Sequence, residues 1–163
     1  SKMISSNRLA VVLSVLVAAL QPVSARGQAP DSVRFVNPPT LSAPRGYSHL
    51  AEVPGGSKLL FVAGQVPLDS AGNVVGKDDF RKQVEQVFEN LRRALAAGGA
   101  TFHDVVKLNF YLVDVSQLAT VREVRDRYVN TATPPASTLV EVRRLFRDDV
   151  GLEVEAVAAV RRR

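Results

Sequence analysis

Apolar and polar residues alternate along Thr138–Val142 and again along Leu152–Val160. A period of two predicts β-strands at both places. In the second run side chains two apart point the same way, so Glu153 and Glu155 share one face with Val157 and Ala159. Burying a carboxylate is costly unless it is paired or hydrogen-bonded. That face is therefore expected to line a wet cleft, an interface or the solvent.

Upstream, Val33–Val36 predicts a short strand stopped by Asn37-Pro38-Pro39. Tyr47–Val53 and Leu59–Ala63 flank Pro54-Gly55-Gly56, the pattern of a hairpin. Gly64-Gln65-Val66-Pro67 ends it, and residues 69–73 form a further turn. The period then changes. Phe80, Val84, Val87, Phe88, Leu91 and Leu95 recur at helical spacing, with Asp78 or Asp79 as N-cap and Gly98-Gly99 as the stop. Val105–Val113 reads as a strand with Val106, Leu108, Phe110 and Leu112 on one face and Lys107, Asn109 and Tyr111 on the other. Leu118, Val121, Val124 and Tyr128 mark a second helix, capped by Asp114 or Ser116. The order β-β-β-α-β-α-β-β predicts a two-layer α+β fold, a mixed sheet with two helices on one face. The other face keeps apolar residues that two layers cannot cover, so an oligomer is expected to bury it.

The chain has 163 residues, 46% hydrophobic and 23% charged, which suits one globular domain. Its first residues depart from that average. Ser1 and Lys2 ahead of Met3 are read as an appended start and set aside. Lys2 and Arg8 precede an apolar run from Leu9 to Leu20, and Val23-Ser24-Ala25 offers small residues for a peptidase. This is the pattern of a secretory signal peptide, and the run is short for a membrane span. The expected organisation is a signal over residues 1–25, a linker over 26–32 and a domain over 33–163. The mature protein is expected to be exported, periplasmic or secreted, without stable membrane association.

Removing residues 1–25 takes away two basic groups and no acids, lowering the net charge from +5 to +3. That is too little to imply a nucleic-acid partner, and Arg161–Arg163 reads as a solvated tail. Cysteine is absent, so neither disulfides nor thiol chemistry contribute. His49 and His103 have no ligand-spaced partner, so no metal site is expected. There is no G-x-G-x-x-G, phosphate loop or G-x-S-x-G elbow. Ser137 and Thr138 have no nearby histidine in sequence to activate them as nucleophiles.

Four stretches carry a family resemblance. They are Gly46-Tyr47-Ser48-His49, Phe61-Val62-Ala63-Gly64-Gln65-Val66-Pro67, Pro135-Ala136-Ser137-Thr138-Leu139-Val140-Glu141-Val142 and Leu152-Glu153-Val154-Glu155-Ala156-Val157-Ala158. In that order and spacing, residues 33 to 161 resemble the Rid (YjgF) family. The resemblance implies a chorismate-mutase-like fold and a homotrimer with small-molecule pockets in the clefts between subunits. It also implies cofactor-independent hydrolysis of amino-acid-derived imines and enamines to a keto acid and ammonia. In active members an arginine binds the substrate carboxylate, a glutamate positions water and a tyrosine closes the pocket. Here the tyrosine falls on Tyr47 and the glutamate on Glu153, with Glu155 as its neighbour. Ala63 occupies a pocket position that is often serine in the family.

The arginine does not carry over, because Ser137 stands in its place. Losing a guanidinium removes the bidentate carboxylate clamp, so weakened imino-acid deamination is expected. Arg45 could supply a charge from another direction. Three readings follow: a pocket for a neutral or cationic imine; a non-enzymatic trimeric binding or holdase-like protein; and a full deaminase with a displaced arginine.

Overall fold

A computed structural model describes residues 32–161. The signal-peptide reading lies outside the described residues, as does most of the expected linker. Within them the chain forms β1 (Arg34–Val36), β2 (Leu50–Glu52), β3 (Lys58–Gln65), α1 (Phe80–Ala97), β4 (Val105–Leu112), α2 (Leu118–Arg125), β5 (Ala136–Glu141) and β6 (Leu152–Val160). Short 3-10 turns at Phe102–Asp104 and Val115–Gln117 lead into β4 and α2. The order of strands and helices is the expected one.

The main sheet runs β3-β6-β4-β5. β6 is antiparallel to both neighbours, and β4 and β5 are parallel with α2 in the connection between them. Both helices lie against one face of this mixed sheet, giving the expected α+β arrangement.

The helix periodicity translates directly into burial. Val84, Val87, Phe88, Leu91 and Leu95 are fully buried, and Phe80 packs at the cluster's edge. Asp79 caps α1 by accepting from the Lys82 backbone N–H at 3.1 Å. At the other end Ala100 N–H bonds Leu95 O and Gly99 N–H bonds Ala96 O, a Schellman closure over Gly98-Gly99. α2 is shorter than its pattern suggests, ending at Arg125, and Tyr128 packs from the turn beyond. Asp114 caps the 3-10 turn leading into α2, accepting from Ser116 N–H at 2.9 Å. Phe88 sits at the centre of an aromatic group, its ring 5.2 Å from Tyr128, 5.9 Å from Phe102 and 6.4 Å from Phe110.

Two sequence expectations change. The stretch around Pro54-Gly55-Gly56 turns, with Ser57 N–H reaching Pro54 O, but its flanks do not pair as a hairpin. β2 pairs instead with β1 in a separate two-stranded sheet, where Arg34 opposes and bonds Glu52. β3 pairs with β6, which brings Leu60 and Val62 onto the core. Burial of those two side chains outweighs the local turn signal.

The second change is a bulge. Val105 opposes Ala158 and Lys107 opposes Val157, so β4 spends one extra residue there. Alternation is reset across it. Val105 joins the core cluster with Leu108, Phe110 and Leu112, whereas Val106 is buried outside it.

β6 alternates as expected. Leu152, Val154, Ala156 and Ala158 enter the core, and Glu153, Glu155 and Val157 occupy the face away from the helices. That second face also carries Leu59 and Phe61 of β3 and Val140 of β5, all exposed, with Phe61 at 78%.

Candidate functional site

Two groups of expected site residues form, and the sheet separates them. The first surrounds a cavity of about 200 Å³ lined by Arg45, Gly46, Tyr47, Phe110, Leu118, Val121, Arg122, Arg125, Ser137 and Leu139. Its floor is the helix-side face of β4 and β5, and one wall is α2. Tyr47 is held there by its neighbour. Ser48 is buried, its N–H donates to Pro135 O at 3.1 Å and its hydroxyl to Pro134 O at 2.7 Å. These bonds fasten the 45–48 loop beside the start of β5 as a short parallel bridge to Ala136. The Tyr47 ring in turn meets His49 edge-on at 5.3 Å, and His49 is tied to Ser42 O at 2.8 Å.

Ser137 pairs in register with Leu108 of the core, and Leu139 with Phe110. Parallel partners share a face, so Ser137 points to the helix side and into this cavity. Position 137 therefore lines this cavity, with a hydroxyl at the place where the resemblance implies a guanidinium in active members.

The sequence reading missed Arg122 and Arg125. They are three apart on α2, which puts them on one helical face. Arg125 is held: its Nε and Nη2 donate to Asp126 Oδ1 at 2.8 and 2.6 Å, and its side chain is only 11% exposed. It passes close beneath Gly46, which has φ +78° and where a β-carbon would come within 2.7 Å of Arg125 Nη2. Glycine there satisfies both the left-handed backbone and the close approach. Arg122 and Arg45 form no ion pair among the described residues. Among the described residues no carboxylate lines the cavity. It is a cationic pocket with an apolar floor, poorly suited to the cationic imine that the loss at position 137 suggested. The basic pair preceding a pocket-facing strand was the sequence signal, but the rotation of α2 that aims it was not legible.

The second group lies on the open face. Glu155 accepts from Asn109 Nδ2 at 2.6 Å and from the Tyr111 hydroxyl at 3.0 Å. The bond to Glu155 raises the Tyr111 pKa, aided by burial and the nearby carboxylates. Glu153 stands opposite Tyr111 across the β4–β6 pairing and has no side-chain hydrogen bond among the described residues. Its carboxylate lies over Gly64, at the β3 bulge between Val62 and Gln65, where any β-carbon would collide with it. Ala63 sits in the same bulge, exposed, with its carbonyl accepting from the Gln65 amide at 3.0 Å.

Tyr47, Ser137 and Arg45 thus share one cavity, and Glu153, Glu155 and Ala63 share the opposite surface. Within one chain they do not converge.

Comparison with known proteins places this arrangement. Residues 40–160 match the family model described as Endoribonuclease L-PSP. A RutC family protein of Pyrococcus horikoshii is 36% identical over 119 residues, covering 73% of this chain and 93% of its own. The 2-iminobutanoate/2-iminopropanoate deaminase of Salmonella typhimurium is 33% identical over 105 residues, covering 63% and 80%. Among solved structures, a Rid family protein of Yersinia pestis superposes with a TM-score of 0.69 at 31% identity, covering 79% of this chain and 99% of that one. With fold, motif order and these matches in agreement, the chain belongs to the Endoribonuclease L-PSP family, the Rid, YjgF and RutC proteins.

Proposed function

We propose that the protein binds a small imine or enamine between neighbouring copies and hydrolyses it to a carbonyl compound and ammonia. The observation carrying this reading is the separation of Tyr47 and Ser137 from Glu153 by the thickness of the sheet. A family site built from both groups needs the pocket of one copy and the open face of another. Three copies arranged about a common axis would supply three such sites, and would cover Leu59, Phe61 and Val140. The Salmonella typhimurium relative supports the reaction class by its name.

In this scheme Glu153 accepts a proton from water as the water adds to the imine carbon. A C–O bond forms and the nitrogen takes up the proton from Glu153, giving a neutral carbinolamine; its hydroxyl proton then passes to the nitrogen as the C–N bond breaks, leaving the carbonyl and releasing ammonia. An enamine first gains a proton on carbon. No electrons are exchanged with a cofactor. Ammonia release from freshly generated 2-iminobutanoate, compared between wild type and Glu153→Ala, tests the reading. Turnover above the buffer rate that disappears in the variant is expected. Absence of turnover in the wild type overturns it.

Export is proposed from the residues before position 26, and mass analysis of protein from the native host's cell fractions tests it. A chain beginning at Arg26 in the exported fraction is expected. Cytoplasmic protein retaining residues 3–25 would refute it.

A further inference from the structure

The cavity beside Tyr47 holds more positive charge than its neighbouring groups neutralise. Arg125 is paired with Asp126 and nearly buried beneath Gly46, so it is part of the wall. Arg122, one turn earlier on the same face of α2, lines the same cavity without a carboxylate partner among the described residues. The facing strand offers the Ser137 hydroxyl, and the rest of the lining is largely apolar: Phe110 and Leu139 on the floor, Leu118 and Val121 on the α2 wall. A planar guanidinium with free N–H groups matches a carboxylate bidentately. An apolar floor takes a short alkyl group.

We infer that anion recognition in this pocket has moved from position 137 to α2, with Arg122 as the specificity-determining residue for a small carboxylate bearing a short apolar chain. This deepens the reading above and rests on it for the identity of the site. Arg125, paired with Asp126 and packed closely against Gly46, forms part of the wall. Arg45, exposed on the rim, adds to the positive field. A simpler role for Arg122 also exists, because a cation near a helix C-terminus is stabilised by the helix dipole. That role would affect stability, whereas recognition would affect the choice between charged and neutral ligands.

The test uses the full chain in its native assembly, titrated with 2-oxobutanoate and with its neutral amide, 2-oxobutanamide, by calorimetry or NMR. Wild type is expected to bind the acid at least about tenfold tighter than the amide, the scale of a hydrogen bond to a charged group. Arg122→Gln should erase that preference by weakening acid binding at least about tenfold more than amide binding, and Arg122→Lys should retain part of it. Ser137→Arg placed in the Arg122→Gln background should restore acid binding if both positions address the same anion. Equal binding of acid and amide by wild type, no binding of the acid at millimolar concentration, or an acid preference that survives Arg122→Gln would each overturn the inference. Binding is read without turnover. A preserved preference with no ammonia release would therefore remove the deaminase reading alone.

Discussion

Ser137 and Glu153 lie on opposite faces of one sheet. Ser137 shares the register and the face of Leu108, inside the helix layer, and Glu153 opposes Tyr111 on the surface away from it. β5, which carries Ser137, is also an edge strand. The pocket therefore sits at a margin of the chain where a neighbour can reach it, while Glu153 projects from β6 in the sheet's interior. No side-chain rotation can bring the two groups together through a sheet. A second copy can.

This geometry makes subunit complementation the sharpest test of a shared site. Tyr47→Ala and Glu153→Ala should each be inactive. Mixed at equal amounts, unfolded and reassembled, they should regain roughly a quarter of the wild-type sites, as random three-fold assembly requires. A Tyr47→Ala, Glu153→Ala double variant mixed with itself should regain none. Persistent inactivity of the mixture, with both chains co-assembled, would place the whole site within one chain.

Phe61 tests the assembly itself. It is 78% exposed on the open face, beside Leu59 and Val157, and contributes nothing to the core cluster. Full burial of such a side chain is worth roughly 1.5–3 kcal/mol, and three copies would multiply the effect. If the proposed trimer forms through this face, Phe61→Asp should shift the molecular mass from that of three chains toward that of one in light scattering, with the far-UV CD spectrum retained. An unchanged mass would exclude this face as the interface.

What was legible in the sequence follows from where one strand or helix decides its own outcome. The β6 alternation put Glu153 and Glu155 together because parity within a strand is geometric, and α1 declared its buried face through five fully buried residues. Relations between elements were not legible. The Ser137 side was set by its pairing with β4, and Val105 replaced Val106 in the core because of a bulge that depends on β6. Pro54-Gly55-Gly56 marked a turn, but β2 found its partner in β1. The Arg122 contribution needed the rotation of α2 over the cavity, which no spacing rule supplies.

Acid stability should depend on Glu89. Arg92 donates to it at 2.8 and 2.7 Å and Arg93 at 3.0 Å, and chiefly the Arg92 bonds hold its pKa at about 2, below the ordinary 4.5. A pKa depressed in the folded state means that the unfolded chain binds the proton first as pH falls. The stabilisation is therefore complete above about 4.5 and is lost on descending toward about 2. Glu89→Gln should lower the melting temperature slightly at neutral pH and flatten its fall through that window. Parallel curves for the two proteins would refute the assignment.

Gly64 should matter for chemistry more than for stability. Its backbone conformation is not left-handed, so an L-residue brings no intrinsic strain. A methyl group there would nevertheless occupy the space of the Glu153 carboxylate. That leaves two responses: Glu153 rotates away, or the β3 bulge between Val62 and Gln65 shifts. Rotation moves one side chain, whereas shifting the bulge would disturb the β3–β6 pairing, so Gly64→Ala should keep its melting temperature close to wild type. Catalysis is less forgiving, because a displaced base loses its water and a shift of about 1 Å can cost on the order of a hundredfold. Ammonia release from 2-iminobutanoate should fall toward the Glu153→Ala level, while binding of 2-oxobutanoate, assigned to the α2 side of the pocket, should change far less. Full activity in Gly64→Ala would mean that the Glu153 position over Gly64 is not the one used in the reaction.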